Sequence, residues 1–196
     1  MIIVAAVALV VVSVPVFGGE LSALTSLRVK AVWTAVTAIA LQVVIISVLE
    51  RVITHSLGSG LHLLSLGLAA SFVIANRRIR GLWVVGLGGL LNVIAIAANH
   101  GVMPASAAAM HTAGLATTPD EFVNSGAVSH PKLAFLGDVF AWPKPLPLAN
   151  VFSIGDVLLV VGIGIVLHHA CGSRLGHRLA SHKGFGHIVR TTREEA

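Results

Sequence analysis

Charged side chains are scarce in this sequence. They make up 11% of its 196 residues, whereas hydrophobic residues make up 56%. A typical soluble globular domain is about one-quarter charged. Because so few charges cannot cover a water-facing surface, the composition excludes an ordinary cytosolic enzyme, a disordered segment and a nucleic-acid-binding module. It predicts an integral membrane protein instead.

Patterns that form disulfides and metal sites are also missing. Cys171 is the single cysteine, so no intrachain disulfide is possible. The ten histidines show no His-x-x-x-His or Glu-x-x-His spacing of the kind that supplies a zinc site. A haem held between helices needs two facing axial ligands, and the sequence offers no such pair. We therefore expect no metal and no cofactor.

Long apolar runs are what the sequence has in abundance. Five of them cover residues 1–17, 31–49, 57–76, 81–99 and 151–170, and Asp156 is the only charged residue in any of them. Their lengths fit the roughly 17 to 25 residues of a spanning helix. The first run has no positive n-region, so it is interpreted as a retained helix rather than a signal peptide. The runs predict an all-α polytopic membrane bundle of five transmembrane helices.

The basic residues indicate how such a bundle would be oriented. Ten of the 13 lysines and arginines fall on one side of the runs, namely Arg28, Lys30, Arg77, Arg78, Arg80, Arg174, Arg178, Lys183, Arg190 and Arg193. The positive-inside rule then predicts an outer N-terminus and a cytoplasmic C-terminus. Residues 1–170 would form the transmembrane domain, with an extracytoplasmic loop over residues 100–150. Residues 171–196 would form a basic cytoplasmic tail.

Asp156 is the most informative single residue, because an ionisable group inside an apolar run is costly and marks a candidate functional site. A local explanation is equally good. Ser153 and Asp156 have the Ser-x-x-Asp spacing of a capping box at the start of a helix. A carboxylate at that position also suits the helix dipole. The sequence leaves both interpretations open.

Glycines and asparagine side chains indicate that the candidate site around Asp156 includes a neighbouring helix. The fourth and fifth runs both contain glycines that permit close helix packing. We expect these two helices to pack together and to bring Asn92 and Asn99 within reach of Asp156. The predicted polar cluster consists of Asn92, Asn99, His100, Ser153 and Asp156.

A second aspartate, Asp138, precedes Asp156 by 18 residues, across a proline-rich segment. Such a segment can fold back and bring the two carboxylates together. Two close carboxylates share a proton, so one can activate water while the other protonates the leaving group. That is the chemistry of an aspartyl peptidase. The alternative is two unrelated acids, one in a turn and one in a helix cap.

The residues around this pair resemble the catalytic end of the lipoprotein signal peptidases (signal peptidase II). The resemblance lies in residues 137–143 (Gly-Asp-Val-Phe-Ala-Trp-Pro) and 151–156 (Val-Phe-Ser-Ile-Gly-Asp). It implies that Asp138 and Asp156 are a catalytic pair at the outer membrane face. The acidic position of that family's Asn-x-x-Asp-Arg box corresponds to Ala95 here, which favours a protein without this activity.

The whole chain resembles an uncharacterised family of five-helix bacterial membrane proteins. Residues 99–104 (Asn-His-Gly-Val-Met-Pro), 136–138 (Leu-Gly-Asp) and 150–157 (Asn-Val-Phe-Ser-Ile-Gly-Asp-Val) carry this resemblance. It implies residence in the bacterial cytoplasmic membrane and no particular activity.

Three functions follow as expectations. The first is a non-enzymatic partner, sensor or assembly module at the outer membrane face. The second is an intramembrane aspartyl peptidase that uses Asp138 and Asp156, and the third is a small transporter or channel. The expected partners are the lipid bilayer and either another membrane protein or a lipid-linked peptide, with no nucleic acid.

Overall fold

The computed structural model describes residues 2–47, 55–99, 102–115, 125–126 and 130–181. In chain order the elements are α1 (Ile2–Val16), α2 (Val32–Ser47), α3 (His55–Ala75), α4 (Leu82–Ala98), β1 (Met103–Pro104), α5 (Ala107–Ala113), β2 (Ser125–Gly126), β3 (Phe140–Trp142), β4 (Asn150–Phe152), α6 (Ile154–Ala170) and α7 (Arg174–Ser181). Short 3-10 helices cover Leu21–Ser26 and Ala134–Leu136. The five apolar runs thus form α1, α2, α3, α4 and α6, and their predicted helical structure is confirmed.

The prediction that these helices form a bundle of five transmembrane spans is wrong. In the part of the chain that the structure describes, no helix combines the length and the apolar character that a membrane crossing requires. Four of the five have only 15 to 17 residues. At 1.5 Å per residue they are shorter than a hydrocarbon layer of about 30 Å. α3 is long enough, with 21 residues, but its first eight residues, His-Ser-Leu-Gly-Ser-Gly-Leu-His, are not apolar enough for a span. The predicted orientation, with the N-terminus outside and the C-terminus inside, depended on these spans and falls with them.

Glycines let α4 and α6 pack closely, as their sequences predicted. A Cβ atom at Gly88 would lie 2.6 Å from the carbonyl oxygen of Gly155, and one at Gly162 would lie 2.6 Å from the backbone nitrogen of Val85. Real Cβ atoms do not come so close to backbone atoms, so only glycine fits at these positions. The two helices are antiparallel and share the largest interface between the described helices.

Polar contacts join the remaining helices in pairs. α1 packs parallel to α6, and near the ends of both helices Ser13 Oγ lies 3.0 Å from His168 Nε2. α2 packs against α3, and Gln42 Nε2 donates to Ser65 Oγ over 2.7 Å. A side-chain hydrogen bond between apolar helices favours one register, because sliding one helix along the other would separate the two polar groups.

The described parts of the segment between α4 and α6 fold over one end of the bundle. β1 pairs in parallel with β2, and β3 pairs antiparallel with β4 in a hairpin. α5 begins after Ser106, whose hydroxyl accepts a hydrogen bond from the Ala109 amide. A small buried cluster of Ala109, Met110, Ala113 and Val151 holds α5 against this hairpin. We call the end of the bundle that carries β3, β4 and the start of α6 the hairpin end.

The opposite end of the bundle is rich in cations. There the end of α1 meets the end of α6, since the Glu20 amide donates to the Cys171 carbonyl. The start of α2 meets the end of α3, since the Lys30 amide donates to Asn76 Oδ1. The described cations at this basic end are Arg28, Lys30, Arg77, Arg78, Arg80, Arg174 and Arg178. These are the described members of the set that the sequence placed on one side.

Candidate functional site

A closed ring of hydrogen bonds joins α4 to the start of α6. Ser153 Oγ donates to Asn92 Oδ1 over 2.8 Å, and Asn92 Nδ2 donates to Asp156 Oδ1 over 2.8 Å. The Asp156 amide donates to Ser153 Oγ, and the Ser153 amide donates to Asp156 Oδ2, both over 3.0 Å. Both carboxylate oxygens of Asp156 therefore accept a hydrogen bond. We call this arrangement the Asn92–Ser153–Asp156 ring.

The local sequence explains half of the ring. Ser153 has an extended backbone and is the N-cap of α6, and Asp156 is the third residue of the helix. Their two reciprocal bonds form the capping box that the sequence predicted, which is confirmed. These bonds satisfy amides that the first turn of a helix otherwise leaves without a partner.

Close helix packing explains the other half. A Cβ atom at Gly155 would overlap Asn92 Oδ1, so glycine at this position leaves the space that the Asn92 side chain occupies. The predicted approach of Asn92 to Asp156 is confirmed by their hydrogen bond. The cap is therefore not the whole environment of Asp156, because a second helix also binds its carboxylate.

The other members of the predicted polar cluster do not join the ring. Asn99 Nδ2 donates to the carbonyls of Ala95 and Lys132, and Asn99 Oδ1 accepts from the Lys132 amide. Asn99 thus holds the segment after β2 against the end of α4. His100 lies outside the described residues.

An apolar cavity of about 550 Å³ opens beside the ring. Its walls come from the first half of α1, the first half of α6 and the hairpin. They include Ile2, Ala6 and Leu9 on one side and Val160 and Val161 on the other. Asp156 is the one ionisable residue in this described lining. The volume falls within the roughly 300 to 1,000 Å³ that is usual for small-molecule sites.

The hairpin forms the mouth of the cavity. Trp142 and Phe152 line it, and the Trp142 indole donates to the Pro147 carbonyl over 3.1 Å. Phe152 stacks on Phe140, with ring centroids 5.5 Å apart. These contacts hold the aromatic side chains at the mouth in fixed positions.

Asp138 belongs to a separate backbone network at the hairpin end. It is buried, its amide donates to the Pro104 carbonyl over 2.8 Å, and its carbonyl accepts from the Ser106 amide over 3.0 Å. Ala105 and Asp138 form a parallel β-bridge. The hairpin register pairs Phe140 with Phe152, so the two aspartates flank the same hairpin. Whether they act as a pair stays a prediction.

Sequence reasoning missed the cavity itself. Its α1 wall is a uniformly apolar helix with no polar mark to distinguish Ala6 or Leu9 from their neighbours. The contact between α1 and α6 joins residues about 150 positions apart, and no local pattern encodes it. The one sequence signal for the cavity was the Trp-Pro segment at residues 142–147, which combines an aromatic side chain with a stiff connection.

A second buried polar cluster lies at the basic end. Ser13 Oγ lies 3.0 Å from His168 Nε2, and Ser173 Oγ lies 2.8 Å from His168 Nδ1. Both ring nitrogens therefore have a hydroxyl group within hydrogen-bond distance. Burial lowers the pKa of His168 below its ordinary value. Burial likewise lowers the pKa of His169, with further lowering by Arg80 and His177, and raises the pKa of the Cys171 thiol.

The geometry defines what the candidate site can do. A carboxylate offers about four acceptor positions, and the ring uses two of those on Asp156. The remaining capacity can accept a hydrogen bond or a positive charge from a molecule in the cavity. Within the described residues, no three histidine, cysteine, aspartate or glutamate side chains converge as metal ligands would.

Comparison with known proteins gives the family of this chain. The model of a family of unknown function, DUF5317, matches residues 26–168, and the chain belongs to that family. The predicted membership of an uncharacterised family is confirmed, whereas the similarity to signal peptidase II is not shown. The searches of curated proteins and of solved structures found no match to this chain.

Proposed function

We propose that this member of the DUF5317 family is a non-enzymatic binding module that works at the bacterial cytoplasmic membrane. Its ligand is the acyl chain of a lipid or of a lipid-linked peptide. The chain enters the cavity between α1, α6 and the hairpin, and its polar head lies at Asp156. The observation that carries this proposal is an apolar cavity of ligand size with one carboxylate in its lining.

The exterior of the molecule supports association with lipid. Leu9 is 70% exposed and Trp33 is 79% exposed, and large apolar side chains are exposed on all the long helices. In contrast, several polar residues such as Ser65, Ser153 and Ser173 are buried. An extended apolar surface of this kind marks a site of contact with a membrane or a partner. A lipid bilayer would remove that surface from water.

The cavity favours a long apolar chain over a small polar ligand. Valine, leucine and isoleucine side chains dominate the walls, and they offer no hydrogen bonds to a sugar or a nucleotide. Each methylene group that moves from water into such a site contributes about 0.8 kcal/mol. An acyl chain that would otherwise be exposed to water therefore gains binding energy in this cavity without any polar contact.

The ring would orient the head of the ligand. Asn92 and Ser153 hold the carboxylate in place before any ligand arrives. A pre-positioned acceptor loses little freedom on binding, so it adds selectivity at small entropic cost. We expect it to select a head that carries an amide, a hydroxyl or an ammonium group.

A cavity-filling variant tests this function. The full chain in an uncharged detergent is titrated with a short peptide that carries one palmitoyl chain, and binding is followed by calorimetry. Ala6→Trp fills the cavity, so we expect its affinity for the peptide to fall at least about tenfold, which equals 1.4 kcal/mol. Ala40→Trp places the same side chain on the exposed face of α2 and leaves the affinity unchanged. Equal affinities for Ala6→Trp and the unaltered chain would contradict the proposal.

A second candidate is a peptidase that acts on the same ligand. The specific observation in its favour is the hairpin register, which pairs the strand after Asp138 with the strand before Asp156. The cleaved bond of a lipid-modified peptide would then lie between the two carboxylates, in the manner of signal peptidase II.

Replacement of each aspartate distinguishes the peptidase from the binding module. In the peptidase, Asp138→Asn and Asp156→Asn both abolish cleavage of a lipid-modified precursor peptide, while the peptide still binds. In the binding module the unaltered chain releases no fragment. Mass spectrometry of the incubated peptide gives the answer directly.

A further inference from the structure

Four cations surround a single cavity at the basic end. The cavity has a volume of about 450 Å³, and Arg28, Lys30, Arg77 and Arg78 line it. None of its described lining residues is acidic. Like charges around one cavity repel one another, so an anion that enters it relieves an electrostatic cost.

The backbone around this cavity is held in a fixed arrangement by a buried amide. Asn76 is only 3% exposed, and its side chain accepts from the Lys30 amide over 2.8 Å. Its Nδ2 donates to the carbonyls of Lys30 and Phe72 over 2.7 and 2.9 Å. The segment before α2 is therefore fastened to the end of α3. Because Asn76 is placed by its own bonds, the cations of both segments are kept on the same cavity.

The turn after α3 places the two arginines. The Ile79 amide donates to the Asn76 carbonyl over 2.8 Å, so residues 76–79 form a hydrogen-bonded turn. Gly81 follows with a φ of +89°, which a residue with a side chain rarely adopts, and α4 begins directly after it. The turn keeps Arg77 and Arg78 beside the cavity instead of on the following helix.

The chemistry of the lining favours a phosphate group. Arginine presents a planar fork of N–H donors that matches phosphate oxygens in a bidentate way, and lysine adds a point charge. Two sources could supply that group, a lipid headgroup or free phosphate. Trp33 and Trp83 favour the lipid, since they lie three residues after Lys30 and Arg80 and are 79% and 56% exposed. Exposed tryptophan next to basic residues is typical of a surface at the level of lipid headgroups.

We propose that Arg28, Lys30, Arg77 and Arg78 form a binding site for the phosphate of an anionic lipid headgroup. The site lies at the other end of the bundle from the acyl-chain cavity, and it depends on none of the residues of that cavity. Either site can therefore fail its test without affecting the other.

Short-chain lipids test this site on the full chain. The protein in an uncharged detergent is titrated with dihexanoyl-phosphatidylglycerol, with dihexanoyl-phosphatidylcholine and with inorganic phosphate, and the heat of binding is measured. We expect saturable binding of the phosphatidylglycerol, binding of the phosphatidylcholine that is at least about tenfold weaker, and weaker binding of inorganic phosphate. Inorganic phosphate that binds as tightly as the phosphatidylglycerol would overturn the lipid assignment and make free phosphate the ligand.

Matched double variants locate the site. Arg77→Gln with Arg78→Gln removes two lining charges, and we expect the dissociation constant for phosphatidylglycerol to rise at least about tenfold. Arg174→Gln with Arg178→Gln removes the same charge from exposed positions at the same end, and the constant changes less than about threefold. Equal effects of the two pairs would show attraction by overall charge alone and would overturn the site. Since Asn76 fastens Lys30 through the Lys30 backbone, Arg28→Gln with Lys30→Gln serves as a second lining variant if the first does not fold.

Discussion

The hydroxyl and the amide of Ser153 take part in three hydrogen bonds at the hairpin end. Its hydroxyl accepts from the Asp156 amide and donates to Asn92, and its own amide donates to Asp156. One small side chain therefore starts α6 and joins it to α4. A residue with two such functions is more sensitive to substitution than an ordinary helix cap.

Ser153→Ala tests that double function. The variant loses the N-cap, which alone is worth about 0.5 to 2 kcal/mol, and leaves Asn92 Oδ1 without its donor. We expect a loss of about 2 kcal/mol in the free energy of unfolding, at the upper end of that range. Ser71→Ala is the control, because the exposed Ser71 bonds only to its own helix. Equal unfolding midpoints for the two variants would contradict the account.

His168 predicts a pH dependence of stability. Burial lowers its pKa in the folded chain below the ordinary 6.5, so the unfolded chain takes up a proton more readily. Stability is then complete above about pH 6.5 and declines as the pH falls below that value. His169, whose pKa is also lowered, contributes in the same direction.

Thermal unfolding at several pH values checks this prediction. The unaltered chain is expected to have a lower melting temperature at pH 5 than at pH 8. His168→Gln should lessen that difference without abolishing it, because His169 remains. His111→Gln alters an exposed histidine at the other end and should behave as the unaltered chain. A melting temperature that rises on acidification would contradict the assignment.

At the scale of elements, the contact between α4 and α6 places the candidate site. Gly88, Gly155 and Gly162 let the two backbones approach, and this approach brings Asn92 to Asp156. α6 also carries one wall of the acyl-chain cavity. A change that separates these helices should therefore reduce both stability and ligand binding.

Two neighbouring glycines of α4 give a matched test of this contact. A Cβ atom at Gly88 would meet backbone atoms of α6 within 3 Å, whereas one at Gly89 would meet nothing within 4 Å. Gly88→Ala should destabilise the fold by about 1 to 3 kcal/mol through overpacking. Gly89→Ala should be neutral or stabilising by up to about 1 kcal/mol, since alanine is the better helix former. Similar unfolding free energies for the two variants would show that the glycines do not set this contact.

The elements also show what could be predicted from the sequence. Apolar runs and a capping box are local patterns, so the five long helices and the start of α6 were predicted correctly, whereas the short α5 and α7 were not. The glycine-rich faces predicted that α4 and α6 pack together. The partner of Asn99 was not predictable, because Lys132 lies 33 residues away and contributes only backbone atoms. The prediction of five membrane spans was wrong because each apolar run was assumed to be helical over its whole length. Four of the five helices have only 15 to 17 residues.

At the scale of the whole molecule, exposed apolar side chains and buried polar ones support the proposal that the protein places its exterior against lipid. The basic end adds cations and two exposed tryptophans to that exterior. We expect the full chain to float with phosphatidylcholine vesicles in a density gradient, because apolar burial needs no charged lipid. A chain that stays monodisperse in the aqueous fraction would contradict this.

The central claim is that an acyl chain occupies the cavity between α1, α6 and the hairpin. The most direct measurement uses a lipid-linked peptide with a photoactivatable diazirine at the end of its acyl chain. After irradiation, mass spectrometry identifies the labelled residues of the full chain. The account predicts labels on half-buried cavity residues such as Ala6, Val157 and Val160. Labels confined to exposed apolar residues of α2, such as Ile39 and Val43, would contradict it.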